Sequence, residues 1–95
     1  MLIHIRLFGR VQGVGFRAWA VRQGEGLDLS GWVRNRMDGS VEIMAEGTKD
    51  QTDFFLELCR KGPLFARVDR IAPVGCPDAP VPPIQSGIFV TQATV

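Results

Sequence analysis

With 95 residues the chain can close one hydrophobic core and lacks the length for a second. Hydrophobic residues make up 45% of it and charged residues 22%, an ordinary globular balance, and no apolar run approaches the roughly 18 residues needed to span a bilayer. The net charge of +1 hides an asymmetry: residues 1–36 carry six arginines (Arg6, Arg10, Arg17, Arg22, Arg34 and Arg36) against Glu25 and Asp28, giving +4, while residues 37–95 come to −3. That distribution favours a small anion held by the N-terminal part, the alternative being a solvated arginine face.

Leu2 to Phe8 reads as a strand, with Ile3, Ile5 and Leu7 on one face and His4 and Arg6 on the other, where His4 is expected to be solvated. These first residues are too short and too often interrupted by polar side chains for a secretory signal, so a cytoplasmic location is expected. Gly9-Arg-Val-Gln-Gly-Val-Gly15 follows as a loop. Phe16 to about Leu27 predicts a helix with Phe16, Trp19, Ala20 and Gln23 or Leu27 facing inward, its last turns weakened by Gly24 and Gly26 at roughly 1 kcal/mol each relative to alanine.

Ser30 to Arg36 is a second strand, and Met37-Asp-Gly-Ser40 a tight hairpin turn. Val41 to Glu46 is the returning strand, alternating Val41, Ile43 and Ala45 with Glu42, Met44 and Glu46. Thr48 to Gln51 has the form of a capping box, opening a helix whose apolar stripe is Phe54, Phe55, Leu58 and Cys59 and which Gly62-Pro63 stops. Arg67 to Ala72 is a fourth strand. The stretch from Pro73 to Pro83 holds five of the six prolines and is neither helix nor central strand, and Gly87 to Thr91 is a short closing strand. The order β-α-β-β-α-β plus a last β predicts an α+β, ferredoxin-like split βαβ sandwich, an antiparallel sheet with two helices on one face, in a single domain over residues 1–95.

That arrangement serves enzymes, metal carriers and RNA-binding modules, so function must come from the site. Cys59 and Cys76 fit no metal spacing and one histidine adds little ligand supply, so no metal site is expected from these residues. A disulfide between the two cysteines stays open at this level, with a core Cys59 and a loop thiol Cys76 the better reading in a reducing compartment. RNA recognition would need exposed aromatics on the two central strands, and only Phe8 is available there.

The informative stretch is Gly9-Arg-Val-Gln-Gly-Val-Gly-Phe-Arg17. Glycines let consecutive backbone N–H groups converge, a helix N-terminus adds positive potential, and Arg17 in the first turn can present a bidentate fork to phosphate oxygens. A bare surface arginine there would oppose the helix macrodipole by a few tenths of a kcal/mol, a conflict that a bound anion removes. Arg10, Arg34 and Arg36 read as solubility or steering charges.

Followed by Gly31-Trp-Val-Arg-Asn35, this stretch resembles the pair of motifs that marks the acylphosphatase family, and the likeness runs on through Asp38-Gly-x-Val41, Ala45-Glu-Gly47 and Gly62-Pro to Ala66-Arg-Val68. The resemblance covers residues 1–72; the proline-rich stretch and the tail match only weakly. Asp28 stands at the helix-ending position where relatives usually have glycine. The resemblance implies hydrolysis of acyl phosphates such as acetyl phosphate, carbamoyl phosphate or 1,3-bisphosphoglycerate, without metal or cofactor. It puts the phosphate-binding arginine at Arg17 and the water-orienting asparagine at Asn35, with Gln12, Gly13, Val14, Gly15 and Phe16 as the backbone cradle. The partners implied are a small acyl phosphate and inorganic phosphate, with no nucleic acid and no membrane, and a monomer is expected. The alternative is a module that binds phosphate or carbamoyl phosphate without turnover, as in related domains of a larger carbamoyl-transfer enzyme; a chain with its own Met1 that ends at residue 95 favours the free-standing enzyme.

Overall fold

The alternation of the first residues becomes β1 (Leu2–Arg10) in the computed structural model, which describes residues 1–95. The order continues with α1 (Phe16–Gly26), β2 (Ser30–Asn35), β3 (Val41–Glu46), α2 (Lys49–Lys61), β4 (Arg67–Pro73) and β5 (Phe89–Thr91). The sheet order is β4-β1-β3-β2-β5. β1 lies antiparallel to β3 and β4, and β2 antiparallel to β3, as the split βαβ pattern requires. β5 departs from the all-antiparallel expectation, because it joins the edge parallel to β2, pairing Phe89 with Gly31 and Thr91 with Val33. The proline-rich segment makes this possible by carrying the chain back along the sheet before β5 begins.

Local signals are realised where they depend only on near neighbours. Thr48 Oγ1 accepts from the Gln51 N–H at 3.2 Å while Gln51 Oε1 accepts from the Thr48 N–H at 2.8 Å, a complete capping box. Asp38 Oδ1 accepts from the Ser40 N–H and hydroxyl at 2.9 and 2.6 Å, fixing the β2–β3 turn. Asp28, at φ 58°, is the only non-glycine residue in left-handed backbone, and with the Leu29 N–H donating to Gly24 O at 2.9 Å it closes α1 in a Schellman motif.

The core joins both helices to one face of the sheet: Phe16 and Ala20 from α1, Phe55 and Cys59 from α2, and Ile5, Leu7, Val33, Val41, Ile43 and Ala45 from the strands. Phe54 was expected in the α2 stripe but is exposed; Thr52 takes the inward position, its hydroxyl satisfied by Thr48 O and Lys49 O. Gly24 is buried against Phe89, so it is a packing position as well as a weak helix former. Cys59 is a buried free thiol and Cys76 an exposed one, with no disulfide between them.

The largest correction concerns the other face of the sheet. His4, Arg34 and Arg36 were expected in solvent, yet Arg34 and Arg36 are buried, and they surround Glu42, which is 1% exposed. Glu42 accepts from Arg34 Nε at 2.8 Å and Arg36 Nη1 at 2.9 Å, and His4 Nε2 lies 2.5 Å from its other oxygen. The proline-rich segment covers this cluster. Pro80 O accepts from Arg34, Pro82 O from the Trp32 indole, and Asp78 from Arg36.

Candidate active site

β1 hands the chain to the loop Val11–Gly15, and α1 begins directly after it. Gly13 and Gly15 have φ of 75° and 78°, which side chains rarely tolerate. These left-handed residues turn the backbone so that no N–H from Gln12 to Ala18 donates to another backbone group; the first to do so is Trp19, bonded to Gly15 O. Gly15 caps α1 without a side-chain bond, and the first turn contains no acidic residue. The positive end of the helix is therefore not neutralised by an acidic side chain of its own first turn, a condition that favours an anion there. Arg17 stands exposed in that first turn and takes part in none of the nine ion pairs.

Across from the loop stands the end of β2. Val33 belongs to the core on the helix side of the sheet, so Asn35, two residues on, shares that side, while Arg34 and Arg36 point to the far face. One cleft of about 380 Å³ is walled by Gln12, Gly13, Gly15, Phe16, Arg17 and Asn35. Val14 does not line it; its side chain packs partly buried against the core. Asn35 Oδ1 is buried and has no hydrogen-bond partner in the protein. An acceptor so placed costs about 1–3 kcal/mol unless something donates to it.

Val11, Ala18 and Thr91 complete the wall. Val11 lies within the motif and Ala18 directly follows it, so both could have been included on adjacency alone. Thr91 carries no signal in the sequence, since only the parallel pairing of β5 with β2 brings it to the cleft.

On the far face of the sheet, Arg34 and Arg36, the neighbours of Asn35 in sequence, both donate to Glu42. Burial alone would raise the Glu42 carboxyl, but hydrogen bonds from Arg34, His4 and Arg36 outweigh it and hold the group below the usual carboxylate range. Asp38, in the adjoining turn, is held low by the hydrogen bonds it accepts from Ser40. No three His, Cys, Asp or Glu side chains converge to hold a metal ion.

The cleft thus brings residues whose backbone donors lack acceptors together with a residue whose acceptor lacks a donor, a composition that suits a phosphate and a water molecule. A model of the acylphosphatase family matches residues 3–77. The chain belongs to the acylphosphatase family. It is 49% identical over 78 residues to an acylphosphatase of Rhodospirillum rubrum, a match covering 80% of this chain and 86% of that one. An acylphosphatase of Azorhizobium caulinodans is 43% identical over 93 residues, covering 98% and 96%. The crystal structure of acylphosphatase from Bacillus subtilis superposes with a TM-score of 0.80 at 35% identity, covering 97% of this chain and 99% of that one. The protein is an enzyme of this family, hydrolysing acyl phosphates to a carboxylate and inorganic phosphate, and its fold is the ferredoxin-like fold of other acylphosphatases.

Proposed function

We propose that the backbone N–H groups of Gln12, Gly13, Val14, Gly15 and Phe16, with the guanidinium of Arg17, hold the substrate's phosphoryl group, and that Asn35 orients the attacking water. The observation that carries this reading is that one cleft is lined by loop residues whose N–H groups have no backbone acceptor, by Arg17, and by Asn35, whose Oδ1 has no hydrogen-bond partner in the protein.

In this mechanism the loop amides and the Arg17 fork bind the phosphoryl oxygens and stabilise the charge that gathers on them as phosphorus is attacked. Asn35 Oδ1 accepts a hydrogen bond from the water and fixes its line of approach. The new P–O bond forms as the bond to the carboxylate oxygen breaks, and the electron pair leaves with the carboxylate. A carboxylate is a good leaving group, so it needs no general acid, and the water's proton passes to a phosphoryl oxygen. The route calls for neither a metal ion nor a cofactor. We further propose that the enzyme acts as a cytoplasmic monomer without nucleic-acid partners, a setting that suits two unpaired cysteines, one of them exposed.

Two substitutions test the assignment. Arg17→Lys keeps the charge and loses the planar fork, so kcat/KM should fall by about a hundredfold or more, with weakened inhibition by inorganic phosphate. Asn35→Ala should lower kcat on the order of a hundredfold while phosphate inhibition stays near normal, because the cradle is intact. A folded Arg17→Lys enzyme nearly as active as the parent would overturn bidentate recognition, and Arg10 would become the next candidate.

A further inference from the structure

We propose that the side chain of Gln12 is a positioning residue, locking Asn35 in place against the phosphate cradle; this rests on the roles given above to Arg17 and Asn35. Gln12 Nε2 donates to Arg36 O and to Ser40 O, both at 2.8 Å. Those two carbonyls close the β2–β3 turn: Ser40 O also accepts from the Arg36 N–H at 2.9 Å, and Arg36 O from the Gly39 N–H at 3.1 Å. Arg36 directly follows Asn35, and Asn35 makes the last cross-strand pair before the turn, with Val41.

A primary amide has two N–H donors, and here both are spent on the turn. The flipped orientation would aim Oε1 at two carbonyl oxygens, so the hydrogen-bond geometry admits one assignment only. No side-chain donor is left for a phosphate, and the remaining Oε1 would repel its oxygens. The backbone of Gln12 belongs to the cradle, and its side chain acts elsewhere. It makes the only side-chain hydrogen bonds between the loop 11–15 and the β2–β3 corner. One residue therefore carries the cradle on its main chain and the water-orienting strand end on its side chain. That link sets the distance between phosphorus and the water held at Asn35.

The experiment is steady-state hydrolysis of a model aryl acyl phosphate, with inhibition by inorganic phosphate measured in parallel. Gln12→Met keeps the side chain's length and removes both donors. Its kcat should fall by about 10- to 100-fold, since a 1 Å misplacement of a reacting group can cost about a hundredfold. Phosphate inhibition should change less than about twofold, because the cradle is main chain. In an Asn35→Ala background, where there is no Oδ1 left to position, Gln12→Met should lower kcat by less than about threefold.

Gln12→Asn, whose shorter stem cannot span both carbonyls, reads out the same split should the methionine variant unfold. Parent-like kcat in a folded Gln12 variant overturns the proposal. So does phosphate inhibition that weakens in step with kcat, which would make Gln12 a ligand, or a full multiplicative loss in the double variant. If Asn35→Ala alone keeps parental turnover, the site assignment itself fails and this inference with it. If Asn35→Ala is impaired and Gln12→Met is not, only the inference fails.

Discussion

Gly24 and Gly26 are two residues apart in the same helix, and helix propensity treats them alike, yet the structure predicts opposite outcomes on replacing each with alanine. At Gly26 an added Cβ meets nothing within 4 Å, and the backbone is not left-handed. Gly26→Ala should stabilise the protein by about 0.4–1 kcal/mol, chiefly by restricting the unfolded chain. At Gly24 the added Cβ would sit 2.5 Å from Phe89 Cδ2, 2.7 Å from Cγ and 2.8 Å from Cε2. That ring cannot swing aside, since Phe89 is 3% exposed and its ring packs on Phe55 with centroids 5.7 Å apart. Overpacking of this kind costs about 1–3 kcal/mol, against which the propensity gain of just under 1 kcal/mol is the smaller term. Gly24→Ala should therefore be destabilising, and the two variants should differ by about 1–3 kcal/mol, the packing term, because propensity largely cancels between them. Urea unfolding followed by circular dichroism reads this as midpoints on opposite sides of the parent at an unchanged slope. Equal stabilisation of both variants would refute the reasoning and show that β5 yields at no cost.

Glu42→Gln leaves Arg34 and Arg36 buried without their carboxylate, and breaking a buried ion pair costs about 3–5 kcal/mol. At about 4–8 °C per kcal/mol for a domain this size, thermal unfolding should show Tm at least ~12 °C lower, and a shift under about 4 °C would show the cluster to be marginal. Glu42, Asp38 and Asp78 are all held below their ordinary values in the folded protein, so they bind protons less readily there than in the unfolded chain. Their contribution is complete above about pH 4–5 and is lost as pH falls through the lower folded values; Tm should fall as pH drops below about 4–5, less steeply in Glu42→Gln. Burial pushes the Cys59 thiol up to about 12, whereas Cys76 is exposed, so a thiol reagent at pH 8 should titrate one cysteine in the native protein and two in urea. Activity should survive EDTA, and loss restored by a divalent ion would contradict the proposed mechanism.

What the amino-acid sequence determined by itself is whatever neighbours within a few residues decide. The Thr48–Gln51 box, the Asp38-Gly39 turn and the glycines that give the loop its free N–H groups each rest on short-range sterics and hydrogen bonds, and all are present in the fold. The resemblance named Arg17 and Asn35 because their motifs are local strings, and the fold brings both to one cleft. What only the tertiary structure decided is which polar residues are buried. Period-two alternation put His4 and Glu42 on the outer face correctly, but that face is covered by carbonyls of Pro80 and Pro82, 46 and 50 positions from the Arg34 and Trp32 donors they meet. The same distance in sequence hides the parallel seat of β5, which brings Phe89 against Gly24 and Thr91 to the cleft. It also hides the reach of Gln12 across 24 and 28 positions to the β2–β3 turn. Alternation assigns a residue to a face of the sheet, but burial depends on what chain later lies over that face, and no local pattern carries that information.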